Sequence, residues 1–354
     1  VEGGVFVSKE VHDQLANQKE FEGVSLGLQS MKGVGRLIEV YGLKGDKLSE
    51  PNPSEYKDEK IDKHSDDEVP SIAIIPFENK GSDKDVFYAY GISADLISDC
   101  SGAGLIRVAS LTDIENLDYK TLDTSELASK LFVRYIAHGS LWKINDMFQL
   151  SIELYDTKDK KVVWSDRWQE KWDNLPTIKM NLSDGLLKAL DTSSKVKSKV
   201  ETTNTEAYEF YLKAKHKYAK RENIEDMEIT RSLLKKAIEI DNSLIEAKLL
   251  LGHTYFHIEG NSNRAIKYFN NCLELSNELG DKINAAKSLQ YIAIVYWRNE
   301  DIKSSRFYCD AALKIFTDVQ LEKEISNVQQ LLGNLYGMEG NIDVALQFYN
   351  KVVE

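Results

Sequence analysis

His253 and His257 are four residues apart, so on a helix both imidazoles point to one side and could share a metal ion. No cysteine or carboxylate clearly completes that stripe, and no metal site is predicted there. His64 stands beside Asp66, Asp67 and Glu68, but in a run of mixed charge that reads as a solvated segment rather than a ligand set. A different chemistry fits Trp297 and Arg298, with Phe256 near them in phase. Aromatic and Arg side chains of this kind carry interface energy. At helical spacing they extend into three stripes: Leu249, His253, Phe256 and His257; then Gln290, Ile294, Trp297 and Arg298; then Gln330, Asn334 and Met338. These are the candidate protein-binding residues, although any one of them could be a rim contact. Between Ser71 and Leu190 there is no nucleophile–base pair and no phosphate loop, so catalytic residues are not predicted there. His138, followed by Gly139 in a strand, reads as structural.

The elements that must position these stripes are paired helices. Leu332, Gly333 and Tyr336 fall on one helix, Glu339-Gly340-Asn341 makes a turn, and Ala345 and Tyr349 fall on the next. Leu251, Gly252, Tyr255, Ala265 and Phe269 repeat the pattern, as do Ile292, Ala293, Tyr296, Ser305 and Ala312. The small residues at 252, 293 and 333 are 41 and 40 residues apart. The L-G-x-x-Y and A-x-x-x-aromatic spacing resembles the tetratricopeptide repeat, in a variant longer than the usual ~34 residues. Gly and Ala sit where two helices must approach, and the aromatics fill the gap beside them. The resemblance implies a protein partner held in the groove of the first helices. A less regular first repeat begins at Thr205, with Ala207, Phe210, Tyr211 and Ala214 facing Leu233, Leu234, Ala237 and Ile238 across the Arg221-Glu222-Asn223 turn. Glu354 falls inside a second helix without a polar capping helix after it, so the array is expected to continue or to meet a partner.

Composition bounds the alternatives. A length of 354 residues favours two or three domains, and 42% hydrophobic residues suffice for ordinary cores. A formal net charge of −12 argues against nucleic acid as the main partner. Three widely spaced cysteines, Cys100, Cys272 and Cys309, give no disulfide framework and suit a reducing, cytoplasmic compartment. No apolar run approaches the roughly 18 residues needed to span a bilayer. The chain opens on Val1 with no signal peptide, as a fragment would.

Taken in order, residues 1–42 predict a β-α-β remnant of a larger domain: strands at Val5–Val7 and Leu37–Tyr41, and a helix capped by Ser8 that holds Val11 and Leu15. Residues 43–70, with three prolines and almost no aliphatic side chains, predict a disordered linker. Residues 71–192 predict one mixed sheet in the order β-α-β-α-β-β-β-α. It starts with the apolar strand Ser71–Phe77, has a helix starting near Ser125, and contains a hairpin turning at Asn145-Asp146. At least two of Trp142, Trp164, Trp168 and Trp172 should be core. A polar link at 191–203 precedes the helices of 204–354. The fold class is thus a mixed-sheet α/β or α+β domain followed by an all-α solenoid.

Two further resemblances rest on longer motifs. G-G-V-F-V-S-x-x-V, a later L-G, Met31-Lys32-Gly33-Val34-Gly35 and a closing V-Y resemble the tail of a class III nucleotide cyclase catalytic domain. The resemblance implies that Lys32 contacts the nucleotide's terminal phosphates; a solvated turn lysine is the plain alternative. It also implies Mg or Mn for the intact cyclase and a homodimer through the cyclase domain. The family's metal-binding aspartates, and its transition-state asparagine and arginine, precede this tail and are absent from the chain, so no catalytic residue or cofactor is assigned here. S-I-A-I-I-P-F-x-N, Y-x-x-G-I-x-x-D-L, R-Y-I-A-H-G-S-L and V-V-W-S-D-R-W are similar to the TolB-like N-terminal domain, which in bacterial signalling proteins often lies between a cyclase domain and helical repeats. Together they imply the regulatory, protein-binding region of a bacterial adenylate or guanylate cyclase acting in cyclic AMP signalling. A non-catalytic scaffold with a degenerate cyclase tail is the alternative.

Overall fold

The computed structural model describes residues 5–9, 12, 22–29, 38–44, 69–103, 106–191, 202 and 204–353. They fall into two compact units divided near residue 65. In the first, β1 (Phe6–Ser8), β2 (Glu22–Gln29) and β3 (Ile38–Lys44) form an antiparallel sheet in the order β1-β3-β2. Its strand β2, carrying Leu26 as a buried residue, was not expected from the sequence. A bulge between Ser25 and Leu28, with Gly27 at φ 77°, breaks the alternation that would have announced it. Lys32, His64, Val11 and Leu15 lie outside the described residues.

The second unit begins with a sheet whose strands run β6-β4-β7-β8-β9. These are β4 (Ser71–Ile74), β6 (Arg107–Val108), β7 (Tyr135–Ile144), β8 (Met147–Asp156) and β9 (Lys161–Lys171); the short β5 (Glu78–Asn79) pairs with β7. β4 is parallel to both neighbours and buried along its whole length, so it is apolar after Ser71, whose hydroxyl accepts from the Arg134 backbone N–H. The hairpins are antiparallel, and Asn145 takes φ 51° at the β7–β8 turn, as an Asn-led tight turn requires. Phe148, Leu150, Ile152 and Leu154 bury the face of β8 that meets the helices.

Four helices belong to this layer: α1 (Val86–Gly102), α2 (Leu111–Glu115), α3 (Thr124–Leu131) and α4 (Leu175–Ala189). The cap of α3 is Asp123, not Ser125, because Asp123 and Glu126 close a reciprocal capping box. The sheet begins and ends close to expectation, while α2 and β5 are additions too short to leave a periodic signal. Trp164, Trp168 and Trp172 pack against the core, and Trp142 is 43% exposed.

Eight helices follow as four hairpins: α5 (Thr205–Ala219) with α6 (Ile224–Ile240), α7 (Ile245–Glu259) with α8 (Ser262–Leu279), α9 (Lys282–Arg298) with α10 (Ile302–Asp318), and α11 (Glu322–Met338) with α12 (Ile342–Val353). Side chains of Asn204, Asn223, Asn261, Asp281 and Asp301 cap five of them. A Cβ on Gly252 would lie 2.6 Å from the Phe269 ring, and one on Gly333 would lie 2.5 Å from that of Tyr349. That contact explains the small residue at each crossing.

Helix α1 is buried nearly all round. The sheet covers one side of it and α5 the other, with Leu212 against Gly91 so closely that no Cβ would fit. One apolar core accordingly runs from Ile72 in β4 to Tyr255 in α7, without a break between sheet layer and repeats.

Candidate functional site

The first helices of the first three hairpins contribute to a concave cavity of about 730 Å³. Tyr211, Lys215 and Tyr218 come from α5, at the three- and four-residue steps that keep side chains on one helical face. Leu249, His253 and His257 come from α7, Asn284, Lys287 and Tyr291 from α9, and Ser98 from α1 of the sheet layer. Arg221 stands at the end of α5, its guanidinium over the Tyr218 ring at 4.2 Å. Three cations thus share the wall with three tyrosines.

The polar groups here are already ordered. Asn284 donates to Glu246 at 2.7 Å, and burial pushes the Glu246 carboxyl above the usual range against that bond. His253 and His257 stack with centroids 5.2 Å apart, and Tyr291 meets His253 edge-on at 4.2 Å. Burial, then the neighbouring His257, lowers His253 to about 4. Among the described residues no group of three or more His, Cys, Asp or Glu side chains could hold a metal.

Lys215 also reaches inward. With the Tyr208 hydroxyl it donates to the buried Asp95 on α1, while Lys179 on α4 pairs with Asp99 at 2.8 Å. Burial pushes Asp95 up, but Lys215 and Lys179 outweigh it and hold the carboxyl below its ordinary value. Asp99 is raised, with burial the larger influence over Lys179.

Of the candidate stripe, Leu249, His253 and His257 line the cavity. Phe256 is buried beneath it, among Ile245, Ala265, Phe269 and Ile292, with the exposed Arg298 guanidinium 5.7 Å from its ring. Gln290 is buried, and Ile294 and Trp297 pack against the cores between hairpins. Asn334 accepts from the Tyr349 hydroxyl at 2.8 Å inside its own hairpin, whereas Gln330 and Met338 are exposed. The stripe assumed that every first helix presents the same face. The cavity takes a neighbouring face instead: Lys287 and Tyr291 on α9 stand 41 residues after Glu246 and Leu250 on α7, and all four line it, with Asn284. The three- and four-residue steps of 284, 287 and 291 were the available signal.

Comparison with known proteins divides along the same lines. A profile of the HilA/YgeH-like transcriptional regulator second domain matches residues 67–184, and a tetratricopeptide repeat profile matches 245–279. The chain is 22% identical over 256 residues to a protein named "Putative adenylate cyclase 3" from Rhizobium meliloti (strain 1021). That alignment covers 69% of this chain and 42% of the relative, so the chain spans less than half the length of the protein it matches. TolB from Acinetobacter baumannii aligns at 18% identity over 34% of this chain and 28% of its own, with a TM-score of 0.27. The apo form of RapI aligns at 17% over 50% of this chain and 61% of its own, with a TM-score of 0.38. The tetratricopeptide match falls on α7 and α8, so the chain combines a mixed α/β layer with tetratricopeptide-type helices. No helix among the described residues is long and apolar enough to cross a membrane.

Proposed function

We propose that this chain is the regulatory, protein-interaction region of a class III nucleotide cyclase-like protein in cyclic AMP signalling. The mixed-sheet layer, residues 71–192, and the repeats, 204–354, would act together on a cyclase domain of which residues 1–42 are the tail. The observation that carries it is the concave cavity, whose wall is built by three successive first helices and by Ser98 of the sheet layer. A partner seated there touches both parts at once. Arg221 and Lys287 suit a partner with acidic side chains, Lys215 being paired inward with Asp95, and the tyrosines offer flat apolar contact with a hydroxyl at the edge. Lys32 would serve the nucleotide's phosphates, and Mg or Mn the intact enzyme. The likeness to a named adenylate cyclase supports the reading. Three buried free cysteines accord with a cytoplasmic location, and a homodimer through the cyclase domain belongs to the same picture.

The test is cyclic nucleotide production by the full gene product with Mg or Mn and ATP or GTP, before and after Lys287→Glu with Tyr291→Ala. Production in the unaltered protein, with a rate that changes when the cavity is altered, is expected. Absence of any product would remove the cyclase part and leave a partner-binding scaffold. The match of residues 67–184 to a domain of transcriptional regulators favours that second reading.

A further inference from the structure

A second cavity, of about 520 Å³, lies away from the concave wall, between α6, α7 and α8. Four cations line it: Lys235 from α6, Lys248 from α7, and Arg264 and Lys267 from α8. In a chain of net charge −12 such a grouping is a departure from the average surface. Among the described residues none of the four makes an ion pair with a carboxylate. Lys248 forms the floor, 4% exposed, and its Nζ donates to the Asn271 side-chain oxygen at 3.0 Å. Burial lowers its affinity for the proton. Asp241 acts on it only through space, since that carboxylate accepts from Ser243 and Thr202.

A buried ammonium with an amide as its hydrogen-bond partner, ringed by three exposed cations, has no carboxylate bonded to it, and Asp241 offsets its desolvation only from a distance. The opening continues into a shallower cavity walled by Ile238, Leu251 and Tyr268, with Glu239 at its rim. Tyr268 lies parallel to Tyr255, centroids 5.5 Å apart, and Arg264 covers the Tyr255 ring at 5.3 Å. The pair therefore offers charge for several phosphate oxygens beside an apolar wall for a flat group. Its size lies within the range of small-molecule sites.

We infer that this cavity binds a small organic polyphosphate of the nucleoside di- or triphosphate class, phosphates on Lys248, Arg264 and Lys267, and the flat group against Ile238 and Tyr268. The site is separate from the cavity assigned to a protein partner and does not depend on the cyclase reading.

Isothermal titration of the whole chain with ATP, tripolyphosphate, AMP and adenosine, without divalent cation, tests it. ATP should bind more tightly than tripolyphosphate, and both more tightly than AMP, with affinity falling as salt rises. Adenosine should give no heat. Lys248→Met and Lys267→Glu should each weaken ATP by about tenfold or more, the loss of one charge-assisted bond. Lys303→Gln, on exposed α10, should leave it unchanged. Lys267 is exposed, so its variant decides the matter if Lys248→Met fails to fold. No binding of ATP at millimolar concentration, unaltered binding by Lys267→Glu, or a loss caused instead by Lys287→Gln in the concave cavity would each overturn the assignment. Equal affinity for ATP and tripolyphosphate would overturn the role of the apolar wall.

Discussion

Lys215 on the first repeat helix donates to Asp95, a carboxylate buried in the helix that underlies the sheet. The two residues are far apart in sequence and meet only because α1 and α5 pack through Gly91 and Leu212. The Lys215 stem lines the concave cavity, so one side chain belongs both to a binding wall and to the seam beneath it.

Removing one partner of a buried pair leaves the other charge uncompensated, at about 3–5 kcal/mol. Asp95→Asn should destabilise the chain by an amount in that range in urea unfolding. The double change Asp95→Asn with Lys215→Met should cost less than the two single changes added together, because the stranded ammonium is gone. Strict additivity would show that the seam is held by packing alone.

Two glycines in the repeats should respond oppositely to alanine. Gly252→Ala drives a Cβ into the buried Phe269 ring and should cost about 1–3 kcal/mol. Gly337→Ala, helical and with open space beside it, should stabilise by about 0.5–1 kcal/mol through lost backbone freedom in the unfolded chain. Thermal melts of the two variants, displaced in opposite directions, are the check.

His253 should weaken the fold on acidification. Its folded value of about 4 lies below the ordinary 6.5, so the unfolded chain takes up the proton more readily. The contribution is complete above about pH 6.5 and is lost as the pH falls towards 4, at a cost of up to roughly 3 kcal/mol. His257, His138 and His216, each lowered by burial first, act in the same direction. His253→Gln should flatten the stability profile between pH 6.5 and 4; an unchanged slope would assign the acid sensitivity to the other three.

Asp123 should behave as a helix cap, its carboxylate accepting from the backbone N–H groups of Ser125 and Glu126 at 2.8 and 2.9 Å. Asp123→Ala should cost about 1 kcal/mol, whereas Ser125→Ala should be near neutral. The reverse order in chemical denaturation would return the cap to Ser125.

The contrast between Asp123 and Ser125 shows where sequence reading succeeds and where it stops. Both residues are good caps, and only the reciprocal bond with Glu126 chooses between them. The β7–β8 hairpin was legible because β8 alternates cleanly from an Asn-Asp turn, and the later helix pairs were legible because Gly252, Ala293 and Gly333 recur in register with aromatics. The cavity was less so. Leu249, His253 and His257 follow from one helix's own periodicity, but Lys287 and Tyr291 depend on how α9 is turned against α7, a tertiary quantity. The Asp95–Lys215 pair left no local trace either, since Asp95 and Asp99 sit one turn apart in an otherwise apolar helix, with no basic residue in that helix to mark a partner.

The unbroken core from Ile72 to Tyr255 also bears on how this protein can be cut and recombined. The polar stretch 191–203 invites a boundary, yet a sheet layer ended there would lose Tyr208, Tyr211 and Leu212 from over α1 and present that helix's apolar side to water. Such a piece should be sticky and poorly expressed. The first hairpin, α5 with α6, is for engineering purposes the outer wall of the sheet layer, and a graft that exchanges repeats should leave it in place together with α7, whose Ala247, Leu251 and Tyr255 belong to the same core.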